Sequence, residues 1–164
     1  SAEKAVKFGQ KTERGFFGTI VSGVYSNGDL AANYVGLKFY LGLTQELKIG
    51  DKVRPAVLKI NDGIWTINSA FEMSEMLLKP LISNHLNEAL NPSGFTRILG
   101  LNAYVRHVLK DHACSDWKQQ YPNLSQGDYE GKTESLKRWN NEDYGFTEKK
   151  NMVTIANTCF DKSR

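Results

Sequence analysis

The apolar positions of the first 17 residues fall near helical spacing, at Val6, Phe8 and Phe16, with Thr12 on the same stripe. They predict a helix over 2–17 whose end is weakened by Gly15 and Gly18. The next stretch, GTIVSGVYSNG at 18–28, holds three glycines, two serines and one asparagine. It predicts a loop or small hairpin with Asn27-Gly28 as the turn. Asp29 then reads as the N-cap of a helix in which Leu30, Tyr34, Leu37 and Leu41 keep a helical period. Gly36 and Gly42 are irregularities in it that permit close packing.

Over 52–67 the period changes. VRPAVLKI and GIWTI are β-rich and flank Asn61-Asp62-Gly63, which predicts a hairpin. Pro55 suggests that its first strand is an edge. Residues 70–90 read as mainly helical, interrupted at Pro80, and Asn91-Pro92-Ser93-Gly94 reads as a breaker. Residues 95–121 predict one or two helices along the stripe Ile98, Leu101, Tyr104, Val105 and Val108, stopped by Pro122. Another helix begins at Ser125 or Asp128 and ends near Trp139; 140–147 is polar and loop-like, and 152–160 is too short to assign. The pattern shows no internal repeat. The expected fold class is α+β: a mostly helical domain with one or two small β hairpins.

Composition bounds this picture. A chain of 164 residues with 40% hydrophobic and 24% charged side chains suits one globular domain. The net charge of +3 is evenly spread, with 10 basic and 8 acidic side chains in 1–82 and 11 and 10 in 83–164. Without a basic block, nucleic-acid binding has no support. A mild positive excess suits contact with an anionic polymer such as a cell wall. No apolar run reaches the roughly 20 residues of a membrane span. The start, SAEKAVKFGQ, lacks the apolar core of a signal peptide and reads as that of a domain excised from a longer chain. Cys114 and Cys159, 45 positions apart, are either a disulfide or two unrelated buried thiols. A disulfide would be worth about 4 kcal/mol by chain entropy.

Two carboxylates stand out. Glu13 falls late in the first predicted helix, and Asp29 lies 16 positions on, across the glycine-rich stretch. The order helix, Glu, loop or hairpin, Asp, helix brings two acids to opposite sides of one cleft. Glycoside hydrolysis needs such a pair, one carboxyl protonated to serve the leaving oxygen and one ionised to direct water, attack, or stabilise positive charge. Phe16 and Phe17 next to Glu13 would desolvate it and raise its pKa. Ser26, Asn27 and Gly28 would keep Asp29 in a polar setting and ionised. Equally, Glu13 pairs with Lys11 or Arg14 in an ordinary surface arrangement, and Asp29 caps a helix whatever else it does.

The segment TERGFFGTIVSGVYSNGDLAANYVGLKFY, residues 12–40, resembles the start of a lysozyme-like catalytic domain. It is most similar to the muramidase domains at the C-terminus of some bacterial type VI secretion effectors. The resemblance implies that Glu13 is the general acid and Asp29 a second carboxylate. It implies an antibacterial toxin that is secreted or delivered to the periplasm, cuts β-1,4 bonds of peptidoglycan strands, and is matched by an immunity protein. The gap from Glu13 to Asp29 is longer than in phage lysozymes, and the Glu-Ser-Gly start of lytic transglycosylases is missing. Sugar contacts are expected from Tyr25, Ser26, Asn27, Asn33 and Tyr34, since aromatic faces and planar amides bind sugars. The chemistry requires no metal and no cofactor, and the domain is expected to act as a monomer.

Other constellations carry less. His85 and Glu88 share a face if 82–88 is helical, which makes them a metal or acid–base couple in a third reading. His107 and His112 are poorly spaced for joint ligation, and HExxH, GxSxG, P-loop and GxGxxG patterns are all missing. The alternative to an enzyme is a non-catalytic module that binds the cell envelope or a protein.

Overall fold

The structure, a computed structural model, describes residues 2–15, 23–95, 100–148 and 152–160. It is an α+β fold, about 51% helical, with seven helices and small two-stranded antiparallel sheets among the described residues. The helices are α1 (Ala2–Arg14), α2 (Asn27–Gly42), α3 (Lys79–Leu81), α4 (Leu101–His112), α5 (Cys114–Gln120), α6 (Gln126–Ser135) and α7 (Ile155–Cys159). The strands are β1 (Val24–Ser26), β2 (Leu47–Ile49), β3 (Lys52–Arg54), β4 (Leu58–Asn61), β5 (Ile64–Ile67) and β6 (Ser93–Phe95).

The α2 helix is the central support. Leu30, Ala31 and Tyr34 on one of its faces are buried, and they join Trp139, Tyr144 and Leu77 in the larger core cluster. The α1 helix packs on α2 where Gly9 lies against Leu30. A second, smaller cluster gathers Leu90, Tyr129, Leu136 and Ile155 around a disulfide between Cys114 and Cys159, whose Cα atoms are 5.2 Å apart. Of the two readings of the cysteines, the structure has the bridge.

The β4–β5 hairpin forms as the Asp-Gly turn predicts, with Asp62 at φ 50° and Gly63 at φ 78°. That pair of left-handed residues matches the twist of the strands it joins. Pro55 follows β3 instead of lying within a strand. A second hairpin, β2–β3, turns at Gly50, φ 59°.

Three expectations are corrected. The cap of α2 is Ser26, whose hydroxyl accepts the Asp29 amide, so Asp29 sits in the first turn instead of capping it. Residues 70–90, expected to be mainly helical with a break at Pro80, hold one helical run, a π-helical turn at Met73–Leu78 that continues into α3, and then only a 3-10 turn at Asn84–Leu86. Pro80 lies next to the end of this run, and the helix stops after Leu81, where Ile82 is extended. The stretch that read as a breaker supplies β6, which pairs with β1 in the register Val24 to Phe95, Tyr25 to Gly94 and Ser26 to Ser93. Toward the C-terminus, α6 starts from Ser125 with a full capping box and ends at Ser135, short of Trp139.

Candidate active site

The site is built at the junction where β1 becomes α2. The chain must turn there from extended to helical, and several side chains pin it. Asn27 is fully buried; its amide nitrogen donates to the carbonyls of Pro92 and Thr147, both at 3.0 Å, and its oxygen accepts the Thr147 amide at 2.9 Å. Tyr25 is buried too and donates its hydroxyl to Thr147 Oγ1 at 2.8 Å. These contacts tie the junction to the 92–95 strand and to the 146–148 segment, which together form its floor.

Glu13 reaches this junction from the last turn of α1. The helix stops one residue later at Arg14 because Gly15 closes a turn onto Thr12, and a Cβ at Gly15 would stand 2.9 Å from the Lys11 carbonyl oxygen. The Glu13 side chain is buried, with 9% of the residue exposed. Its carboxylate accepts the backbone N–H of Ser26. Burial pushes its pKa above the ordinary value, the nearby Asp29 charge adds to the rise, and the Ser26 hydrogen bond opposes it. The direction is the one that a general acid needs. The shielding expected from Phe16 and Phe17 lies outside the described residues.

Asp29 is exposed, one turn into α2, with its amide on Ser26 Oγ at 3.0 Å. Its pKa is also raised, first by desolvation and then by the charge of Glu88. The polar neighbours Ser26 and Asn27 therefore do not lower it: burial first, and a third acid second, set the direction. Glu88 follows the 3-10 turn, and its Oε1 accepts the Ser26 hydroxyl at 3.1 Å. Three carboxylates thus gather around one serine at the positive end of a 16-residue helix, which offsets part of their mutual repulsion.

The other expected site residues divide. Ser26 is at the centre of the cluster, while Tyr25 and Asn27 face inward as described. Asn33 is exposed on α2. Tyr34 is buried, donates to the Glu142 carboxylate, and packs edge-on to Trp139 with ring centroids 5.7 Å apart. Burial and the Glu142 carboxylate push its phenol pKa upward.

His85 and Glu88 do not share a helical face, since the 3-10 turn ends at Leu86. The His85 ring is held between Ser83 Oγ at 2.9 Å and the Arg138 carbonyl at 3.0 Å, and burial lowers its pKa. His107 pairs with Asp111 at 3.3 Å. Among the described residues, no group of three His, Cys, Asp or Glu is placed to hold a metal ion.

Beside Glu88 an apolar groove of about 290 Å³ runs between Ser93, Val105, Leu109, Val153 and Ile155. A larger pocket of about 370 Å³ lies elsewhere, on α4, α6 and α7, and is crowded by charges already paired: Lys137 with Glu134 and Glu148, and Arg106 with the carbonyls of Met152 and Asn157. Of the three carboxylates only Glu88 lines the apolar groove, and Glu13 and Asp29 line neither pocket; the acids are the stronger candidate because Glu13 and Asp29 both have raised pKa values and meet at one helix start.

No family model, curated protein or solved structure matches the chain.

Proposed function

We propose that the chain is a glycoside hydrolase of lysozyme type that cuts the β-1,4 bonds of peptidoglycan strands by carboxylate acid–base catalysis. The observation that carries the reading is the pairing of a buried Glu13 with an exposed Asp29 across a single hydrogen-bonding residue, Ser26. Burial and the Asp29 charge disfavour the Glu13 anion and so favour the protonated form that a general acid uses. It passes that proton to the glycosidic oxygen as the bond breaks. Asp29, open to solvent, stabilises the positive charge that develops on the sugar or directs the attacking water. The Ser26 N–H then receives the Glu13 carboxylate as it forms, so the donor that opposes the raised pKa also stabilises the product of proton transfer.

The resemblance of residues 12–40 to type VI effector muramidases supplies the setting. The domain acts as an antibacterial toxin on the wall, reached from the periplasm, and an immunity protein blocks the cleft. The mild positive charge assists approach to the anionic wall. Glu13 must be protonated and Asp29 ionised, so the rate falls as pH rises through the Glu13 pKa and falls as pH drops through that of Asp29. Both pKa values are raised, which places this bell above that of two ordinary carboxylates.

Digestion of purified sacculi tests the reading. Soluble muropeptides separated and weighed by mass spectrometry should appear with the wild-type chain, each with a new sugar terminus. Sacculi that bind the protein but release nothing favour the envelope-binding module instead.

A further inference from the structure

We infer that Glu88 is a positioning residue of this site: its carboxylate holds the Ser26 hydroxyl and thereby sets the junction that presents Glu13 and Asp29. The inference rests on the hydrolase reading for its catalytic meaning and on the geometry for its substance.

Three polar contacts of Ser26 reach acidic residues, two of them at the carboxylate and one, to Asp29, at the backbone amide. Its N–H goes to the Glu13 carboxylate. Its hydroxyl oxygen accepts the Asp29 amide at 3.0 Å. Its hydroxyl hydrogen goes to Glu88 Oε1 at 3.1 Å. A hydroxyl has one hydrogen and two acceptor lone pairs, and it rotates to suit its partners. With the hydrogen committed to Glu88, a lone pair is turned to the Asp29 amide. Without that acceptor the rotor is free, and the cap of α2 loosens beneath both acids.

Glu88 is exposed, so the core does not demand it. Its backbone is nonetheless fixed. Asn91 donates its amide to the Asn87 carbonyl at 2.8 Å, the Asn87 side chain accepts the Ala89 amide at 3.0 Å, and the Ala89 carbonyl accepts the Ile155 amide at 2.9 Å. Gly28 leaves the room for its approach: a Cβ there would stand 3.1 Å from Glu88 Cγ and 3.2 Å from Ser26 Oγ. The Asp29 carboxyl faces Glu88 from the 87–91 turn and Glu13 from α1, both negative when ionised.

The test compares Glu88→Gln and Glu88→Ala with wild type by rate of muropeptide release against pH and by carbon-13 NMR titration of the Asp29 carboxyl. Glu88→Gln keeps an oxygen for Ser26 and removes the charge. The expected result is a near-wild-type kcat at the optimum, with the acid limb of the profile and the Asp29 midpoint both moved to lower pH. Glu88→Ala removes the acceptor as well, and kcat should fall by about tenfold with KM little changed, a loss that the Gln variant recovers. An Asp29 midpoint unmoved in Glu88→Gln overturns the inference whether or not the wall is cut, as does an Ala variant with wild-type kcat. If wild type releases nothing while the midpoint moves, the hydrolase reading falls and takes the catalytic part of the inference with it.

Discussion

Glu13 is an ionisable group in a buried place, and this has a consequence for stability. Its folded pKa is raised above the unfolded value, so the fold favours the neutral carboxyl. That contribution is fully present below the unfolded pKa and is lost as pH rises through the folded one. Replacing the carboxyl by a neutral isostere removes the penalty at neutral pH. Glu13→Gln should therefore melt at a higher temperature than wild type at pH 7, with the gap closing toward pH 4, as thermal scans across pH will show. A Gln variant that melts lower at pH 7 would mean that the carboxylate is stabilised where it lies.

At the same scale, Glu13 and Asp29 were legible in the sequence because local signals mark them: an acid before a glycine that ends a helix, and an acid just after a Ser-Asn-Gly entry to the next. The cap itself was misread by three residues, since Asp29 and Ser26 are both good N-caps and only the paired β1 strand fixes which one ends the extended chain. Glu88 was singled out only beside His85, as a metal or acid–base couple, and no local signal tied it to Asp29. It is 59 positions from Asp29, and nothing in the linear pattern says that the 87–91 turn returns to α2.

Among the elements, those defined by neighbours in sequence were the readable ones. The Asp-Gly hairpin formed as read, and of the two starts offered for the next helix, Ser125 and Asp128, the structure has Ser125 as the cap, with Asp128 closing a capping box. Ser125→Ala should cost about 1 kcal/mol and lower Tm by roughly 2–4 °C, measured by thermal unfolding. The β1–β6 pair was not readable, because its partners are about 70 residues apart and a Pro-Ser-Gly run looks like a turn until a distant strand pairs with it. The 70–90 segment read as mainly helical, and its helical run over 73–81 ends just after Pro80, with only a 3-10 turn beyond.

The α7 helix shows the same dependence on distant support. Five residues cannot hold a helix alone. It is held by the Thr154 capping box, the amide of Ile155 on Ala89, and the bridge from Cys159 to Cys114. The neighbouring Val153 pairs with Ser93, which in turn registers with Ser26. Reducing the disulfide should destabilise the chain by up to about 4 kcal/mol, the entropy of a 45-residue closure. It should also speed hydrogen exchange at the amides of Val153 and Ile155, read by mass spectrometry. Unchanged exchange there would mean that the cap and backbone pairs suffice.

The whole molecule is organised around α2. One face of that helix fills the larger core, and its first turn gathers the three acids. The expected α+β class, mostly helical with small hairpins, was legible because helical period and turn residues are local properties. Which residues meet at the site was only partly so: Ser26, named for sugar contact, also bonds the Glu13 and Glu88 carboxylates and the Asp29 amide. No helix of the described residues is long and apolar enough to cross a membrane.

In the proposed reaction Glu13 delivers the proton that breaks the glycosidic bond. The most direct measurement is the rate at which wild type and Glu13→Gln release muropeptides from the same sacculi, with Tm taken on the same samples. The prediction is a loss of at least about a hundredfold in rate, with Tm equal to or above that of wild type. A Gln variant that is equally stable and clears the wall at the wild-type rate would contradict it.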